Sequence, residues 1–231
     1  MKLPMNEINY QKELDKILSD ENNKEKSLVL HSCCGPCSSY VLRYLRTFFN
    51  ITVFYYNPNI TEKDEYQKRV GEQKRLIELL NGKASSEGAF PIKVIEGDYD
   101  VNEFFDIARG YEKDKEGGER CSRCFKLRLE KTAWLALELN ADYFATTLTV
   151  SPMKNSKVIN TIGFELEKEM ALSGPVRELK WLPSDFKKRD GYKQSIELSK
   201  KYDLYRQNYC GCIYSKLERD EQIRQKQALE S

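Results

Sequence analysis

Four short apolar runs, SLVLH (27–31), ITVFYY (51–56), IKVIEG (92–97) and DYFATT (142–147), alternate with stretches of helical periodicity, SSYVLRYLRTFF, EYQKRVGEQKRLIELLN and CFKLRLEKTAWLALELN. Strands and helices that alternate in this way form βαβ units, whose parallel sheet is buried on both faces and joined by right-handed crossovers. VRELKW (176–181) is a weaker fifth strand. The expected architecture is therefore α/β, a five-stranded parallel sheet with flanking helices. One domain, 1–231, has its core at about 27–182 and a helical, cysteine-bearing C-terminal region at about 183–231. With 231 residues, 40% of them hydrophobic, the chain can bury one such core.

In open parallel sheets ligands sit beyond the carboxyl ends of the strands. The turn after the first strand reads HSCCGPCSS and places Cys33, Cys34 and Cys37 at that edge, just before a helix whose free N–H groups favour thiolate over thiol. Gly35 and Pro36 suit a tight turn and a helix start. A phosphate-cradling loop would need several glycines and usually a lysine, and this turn has one glycine and no lysine. The second cluster, GGERCSRCFKLRL, has Cys121 and Cys124 in a C-x2-C spacing, which alone suits zinc, an iron–sulfur cluster or a redox dithiol. Adjacent cysteines such as Cys33 and Cys34 diverge, so they serve a cluster of several irons better than one tetrahedral ion. The third group, RQNYCGCIYS, sets Cys210 and Cys212 around Gly211, either as a short redox-active disulfide, as ligands of a second metal, or as buried structural thiols.

Other features narrow the class. The single histidine, His31, excludes imidazole-rich metal sites and confines any Cys/His nucleophilic pair to its own neighbourhood. Seven cysteines in a reducing compartment point to metal or redox chemistry rather than to structural disulfides. No run approaches the roughly 18 apolar residues of a membrane span, and the opening stretch MKLPMNEINYQKELDKIL is charged rather than signal-like, so a cytoplasmic protein without membrane partners is expected. Net charge is only +2, but residues 176–231 hold 13 Lys and Arg against 9 Asp and Glu, a weak pointer to a polyanion.

Together, HSCCGPCSSYVLRYL, YYNPNITEKDEYQKR, EGGERCSRCFKLRLEKTA, DYFATTLTVSPMKNSKVIN and LPSDFKKRDGYKQSIELSKKYDLYRQNYCGCIYS resemble the QueH family of epoxyqueuosine reductases, from about Leu28 to Ser215. The resemblance implies a HUP-like fold, the nucleotide α-hydrolase class, with iron and sulfur where that class usually holds ATP. It implies reductive removal of the epoxide oxygen of epoxyqueuosine at the wobble position of a tRNA, giving queuosine. Carried over residue by residue, Cys33, Cys34, Cys121 and Cys124 would hold a [4Fe-4S] cluster, and Cys210 and Cys212 would be the redox-active pair. The family is also associated with an additional iron ion beside the cluster, for which Cys37, Cys210 and Cys212 are the available thiolates. Residues 1–26 and 216–231 fall outside the resemblance and read as charged helices.

The implied reaction needs two electrons, whereas a cluster normally passes one at a time, so a neighbouring iron or the Cys210/Cys212 couple must supply the second, and an electron donor must replenish them. Tyr209, Asp98 and His31 are candidate proton donors. An anticodon base splayed onto aromatic rings, with cations on the phosphates, is the expected mode of binding the tRNA that carries epoxyqueuosine. Tyr55, Tyr56, Asn57 and Asn59, just past the second strand, are candidates for that contact, with Arg69, Arg120, Lys187, Lys188 and Arg189 for the phosphates.

Overall fold

A computed structural model describes residues 8–172 and 178–230. Its central strand, β1 (Ser27–His31), pairs in parallel with β2 (Asn50–Tyr55) on one side and with β4 (Tyr143–Thr146) on the other. β3 (Lys93–Glu96) extends the sheet beyond β2 and β5 (Lys180–Trp181) extends it beyond β4, giving the wholly parallel order β3-β2-β1-β4-β5. The direction of winding reverses between β1 and β4, so the segments leaving these two strands part and open a crevice at the carboxyl edge.

Alternation along the strands explains why both faces need helices. Leu28 and Leu30 point to one side with Ile51 and Val53, and they pack on Val41, Leu42 and Leu45 of α2 (Gly35–Leu45) and Leu76, Ile77 and Leu80 of α3 (Lys63–Asn81). Leu14 of α1 (Tyr10–Ser19) joins this layer. Val29 and Phe144 point to the other side, against Phe125, Leu129 and Ala133 of α5 (Glu119–Glu138) and Ile159, Ile162 and Leu166 of α6 (Ser156–Leu172). The remaining helices are α4 (Val101–Ala108), against α5, α7 (Gly191–Lys201), against α2, and α8 (Ile213–Glu230), which follows the third cysteine group.

The five-stranded α/β reading of the residue pattern is what the structure has, with strand ends shifted by one residue at β2, β3 and β4. The fifth strand is shorter than VRELKW. Only Lys180 and Trp181 pair with Tyr143 and Phe144, and Pro183 two residues on cannot donate to a ladder; Val176 and Arg177 lie outside the described residues. Of residues 1–26, read as charged helix, 10–19 are helical, and 1–7 also lie outside the described residues.

Close approach of α6 to the sheet depends on Gly163. A Cβ there would sit 2.2 Å from Trp181 Cδ2, and the indole cannot turn away because its Nε1 donates to Asn160 Oδ1 at 3.0 Å. Gly163→Ala is expected to cost about 1–3 kcal/mol through overpacking. The cost would appear in urea unfolding as a lower midpoint with an unchanged slope.

Candidate functional site

Three segments meet at the carboxyl edge of the sheet, each bringing cysteines. The first is the turn after β1. Ser38 Oγ donates to Cys34 O at 2.9 Å, and Ser32 Oγ, 2.5 Å from Ser38 Oγ and 2.8 Å from Gln73 Oε1, gives its one proton to one of these two, so the turn is tied to both α2 and α3. Cys34 is the extended residue that caps α2, and Pro36 occupies the first turn, where its missing N–H costs no hydrogen bond. The sulfurs of Cys33, Cys34 and Cys37 all lie within 4.8 Å of one another, with Cys33 and Cys34 at 3.8 Å. Hydrogen bonds from Cys33 and Cys37 hold Cys34 well below the usual thiol range. The same contacts push Cys33 up, chiefly through Cys34, and Cys37 well up, chiefly through Cys33.

The second segment is the start of α5. Arg120, Cys124 and Arg128, spaced by four, share its buried face, and Cys121 accepts from Gly117 N at 3.2 Å. Burial pushes Cys121 up and Cys124 up to about 12. The third segment is Cys210-Gly211-Cys212. Gly211 has φ of +123°, and a Cβ there would meet Ile60 Cγ1 at 2.8 Å, so only glycine fits the turn that separates the two thiols. Arg69 Nη1 donates to Cys210 O at 3.0 Å and Thr61 N to Gly211 O at 3.2 Å, which pins this segment to the start of α3. Burial pushes Cys212 up as well.

Cys121, Cys124, Cys210 and Cys212 line one enclosed cavity with Arg120 and Arg128. Beside it a cleft of about 880 Å³ reaches Cys33, Cys37 and Cys210, so Cys210 belongs to both spaces. Arg128 is 1% exposed. Burial opposes its charge, but Cys124, Cys210, Cys33 and Cys121 around it hold the guanidinium charged. Lys154, 9% exposed, donates to Cys210 Sγ at 3.4 Å and pairs with Glu116 at 3.5 Å; burial opposes its charge too, yet these two partners push it up. Arg128 Nη2 and Arg120 Nε and Nη2 are buried donors with no hydrogen-bond partner among the described residues. The two arginines that carry these orphaned N–H groups share a cavity lining with four sulfurs, a donor set whose chemistry suits a bound anionic group ligated by thiolate.

The predicted residues fall into distinct places. Cys33 and Cys34 group with Cys37, whereas Cys121 and Cys124 group with Cys210 and Cys212, so the expected four-cysteine ligand set is drawn from both groups. His31 is fully buried, with Nδ1 2.8 Å from Thr146 Oγ1 and Nε2 3.2 Å from the carbonyl of Tyr56, which makes Nε2 the protonated nitrogen. Burial, then Arg128, lowers its pKa to about 3, so the ring is neutral and both nitrogens are occupied. Asp98 lies beside Tyr56 and Tyr66 and lines neither the cavity nor the cleft. Tyr209 does line the cleft; its hydroxyl donates to Glu62 at 3.3 Å, and Arg69 lies over its ring.

The expected RNA contacts are mostly interior. Tyr55 packs edge-on against Tyr66, and Tyr56 stacks on Phe54 and donates to Glu103 at 2.7 Å. Asn57 donates to Ser32 O at 2.8 Å, and Asn59 faces the cysteine cavity. Arg69 binds the Cys210 segment, and Arg120 binds the carbonyls of Tyr111, Glu112 and Asp114. Lys187 pairs with Asp185 and Arg189 with Asp15, while Lys188 is exposed; all three precede α7. Arg128 and Lys154 escape a reading of the sequence. Spacing of four from Cys124 was the only available signal for Arg128.

A parallel α/β sheet whose switch point is furnished with thiols and buried cations instead of a glycine-rich loop defines a protein of the thiol- or metal-dependent class. Residues 28–218 match the family model described as epoxyqueuosine reductase QueH. A relative of that name from Streptococcus pyogenes serotype M1 is 42% identical over 92% of this chain and 80% of its own length. Another from Staphylococcus epidermidis is 38% identical over 93% and 87%, and one from Thermotoga maritima 33% over 84% and 93%. The chain belongs to the QueH family of epoxyqueuosine reductases, a family of oxidoreductases.

The pinning of the third segment is open to measurement. Arg69→Met would leave the carbonyls of Tyr209 and Cys210 without this donor. The expected cost is about 1.5–3 kcal/mol in chemical denaturation, with faster alkylation of Cys210 and Cys212 in the native state.

Proposed function

We propose that this protein reduces epoxyqueuosine at the wobble position of tRNA to queuosine, in the cytoplasm, with Cys33, Cys34, Cys121 and Cys124 holding a [4Fe-4S] cluster. The observation that carries the reading is the meeting of all seven cysteines and two buried cations, Arg128 and Lys154, where a cleft opens at the sheet's switch point. The all-sulfur donor set and the unpartnered guanidinium N–H groups support a thiolate-ligated, negatively charged group there. When bound, such a cluster supplies single electrons, and an additional iron ion near Cys37, Cys210 and Cys212 would supply an electrophile.

The chain's own residues account for the rest of the balance. Converting an epoxide to an alkene and water takes up two electrons and two protons. Oxidation of Cys210 and Cys212 to a disulfide, with one S–S bond formed and two S–H bonds broken, releases that same number, and an external electron donor then returns the pair to the dithiol. Cys210 fronts the cleft and Cys212 lies behind it, so the pair links substrate space to cavity. Two acids border the cleft beside Cys210, the Lys154 ammonium and the Tyr209 hydroxyl, and either passes a proton to the departing oxygen and is reprotonated by one of the two that the dithiol releases. Neutral, fully bonded His31 supports the strand end instead.

Anaerobically purified protein should be brown with about four irons and four sulfides, or one iron more, and Cys121→Ala should lose the colour. Incubated with a reductant and tRNA carrying epoxyqueuosine, the wild type should yield a nucleoside lighter by one oxygen, and Cys210→Ala and Cys212→Ala should not. A colourless protein that carries zinc after anaerobic reconstitution would overturn the cluster.

A further inference from the structure

With Tyr55, Tyr56, Asn57 and Asn59 buried, the RNA must be met elsewhere. The cleft of about 880 Å³ leads directly to Cys33, Cys37 and Cys210; Arg69, Arg128 and Lys154 in its lining are buried and paired, which leaves Lys115, Arg206 and Arg219 against Glu218 and Glu221 to meet a phosphate backbone. Its volume lies within the range of about 300–1,000 Å³ usual for small-molecule sites. One wall is built from a planar pair. Tyr192, in the first turn of α7, is 37% exposed, and the Arg206 guanidinium lies 5.5 Å over its ring while Nη2 donates to its hydroxyl at 3.3 Å. An aromatic ring and a guanidinium plane are the two surfaces on which single-stranded bases stack.

A second, independent observation lies deeper in the same cleft. Gln207 lines it with its side chain close to Cys34, yet its Oε1 is buried without a hydrogen-bond partner among the described residues. An amide carbonyl left so is an acceptor in search of a donor.

Resting on the function proposed above, we infer that this cleft takes one unstacked nucleoside of the RNA, its base on the Tyr192–Arg206 wall and a donor group of its modified ring on Gln207 Oε1. The wall makes contacts common to any base, and Gln207 distinguishes the modified one.

The test compares an anticodon stem-loop carrying epoxyqueuosine with the same stem-loop carrying guanine at that position, by fluorescence anisotropy and by turnover. Tyr192→Ala and Arg206→Ala should each weaken both RNAs roughly 5- to 100-fold, raising KM more than they lower kcat, and Arg206→Ala should flatten the salt dependence. Gln207→Met should lose roughly 10-fold on the modified RNA alone. Tyr192→Phe, which keeps the ring, should bind like wild type, and Tyr192→Leu, which keeps only apolar bulk, should not; this pair decides the matter if the alanine variants fail to fold. Equal RNA affinity for the Phe and Leu variants, in the presence of normal wild-type reduction, would overturn the stacking wall and leave the function standing. A wild type that neither binds nor reduces the modified RNA would remove that function and this site with it.

Discussion

A cation buried at the end of a parallel sheet needs partners that offset its lost hydration, and much of the molecule's carboxyl edge sets Arg128 and Lys154 among sulfurs. Arg128 reaches the site along one face of α5, four residues beyond Cys124, and its Nε is tied to the Cys124 carbonyl at 3.1 Å. It also meets Asn57 Oδ1 at 3.4 Å, and Asn57 in turn holds the carbonyl of Ser32, so helix, β2 exit and β1 turn converge on one cation. Lys154 does the same from the segment after β4. A neutral side chain at either position would remove a cation that works against the burial holding Cys121 and Cys124 up.

The third cysteine segment is held differently, by connections to the start of α3. Arg69 and Thr61 fix its backbone, while Lys216 of α8 pairs with Glu62 and Glu218 accepts from Glu116 N at about 3.1–3.2 Å. The start of α8 is thus attached on both sides of the cleft, with Cys210 and Cys212 presented between these attachments. Tyr205 adds a further tie through Glu72, which accepts from its N–H at 2.5 Å.

Much of this was legible in the residues, and the failures have physical causes. The apolar run of β1 gave its ends at Ser27 and His31 because period and boundary residues agreed. The place of the Cys33–Cys37 turn at the sheet edge followed from strand order alone, whereas that of the Cys210 segment, which follows α7, did not. Which cysteines group together did not, because Cys37 joins Cys33 and Cys34 through the first turn of α2, a matter of helix phase rather than of sequence separation. Tyr55 and Tyr56 were misread as RNA-facing because position just past a strand places the backbone at the edge but leaves side-chain direction open; both turn into packing with Tyr66 and Phe54. Nothing local marks Lys154 as a cation that will be buried among sulfurs from distant parts of the chain, and Arg128 carries only its spacing of four from Cys124.

The wide spacing of those segments along the chain also sets an order of events during synthesis. Cys33, Cys34, Cys37, Cys121 and Cys124 have all been made when the ribosome still has 85 residues to add before Cys210. At about 5–20 residues per second, that interval lasts roughly 4–17 seconds. During it the rest of α5, then β4, α6, β5 and α7 are added in turn, so the site cannot close around the five earlier thiols until the Cys210 segment and α8 follow. The C-terminal segment therefore acts, in the life of each nascent chain, as the closing of a door.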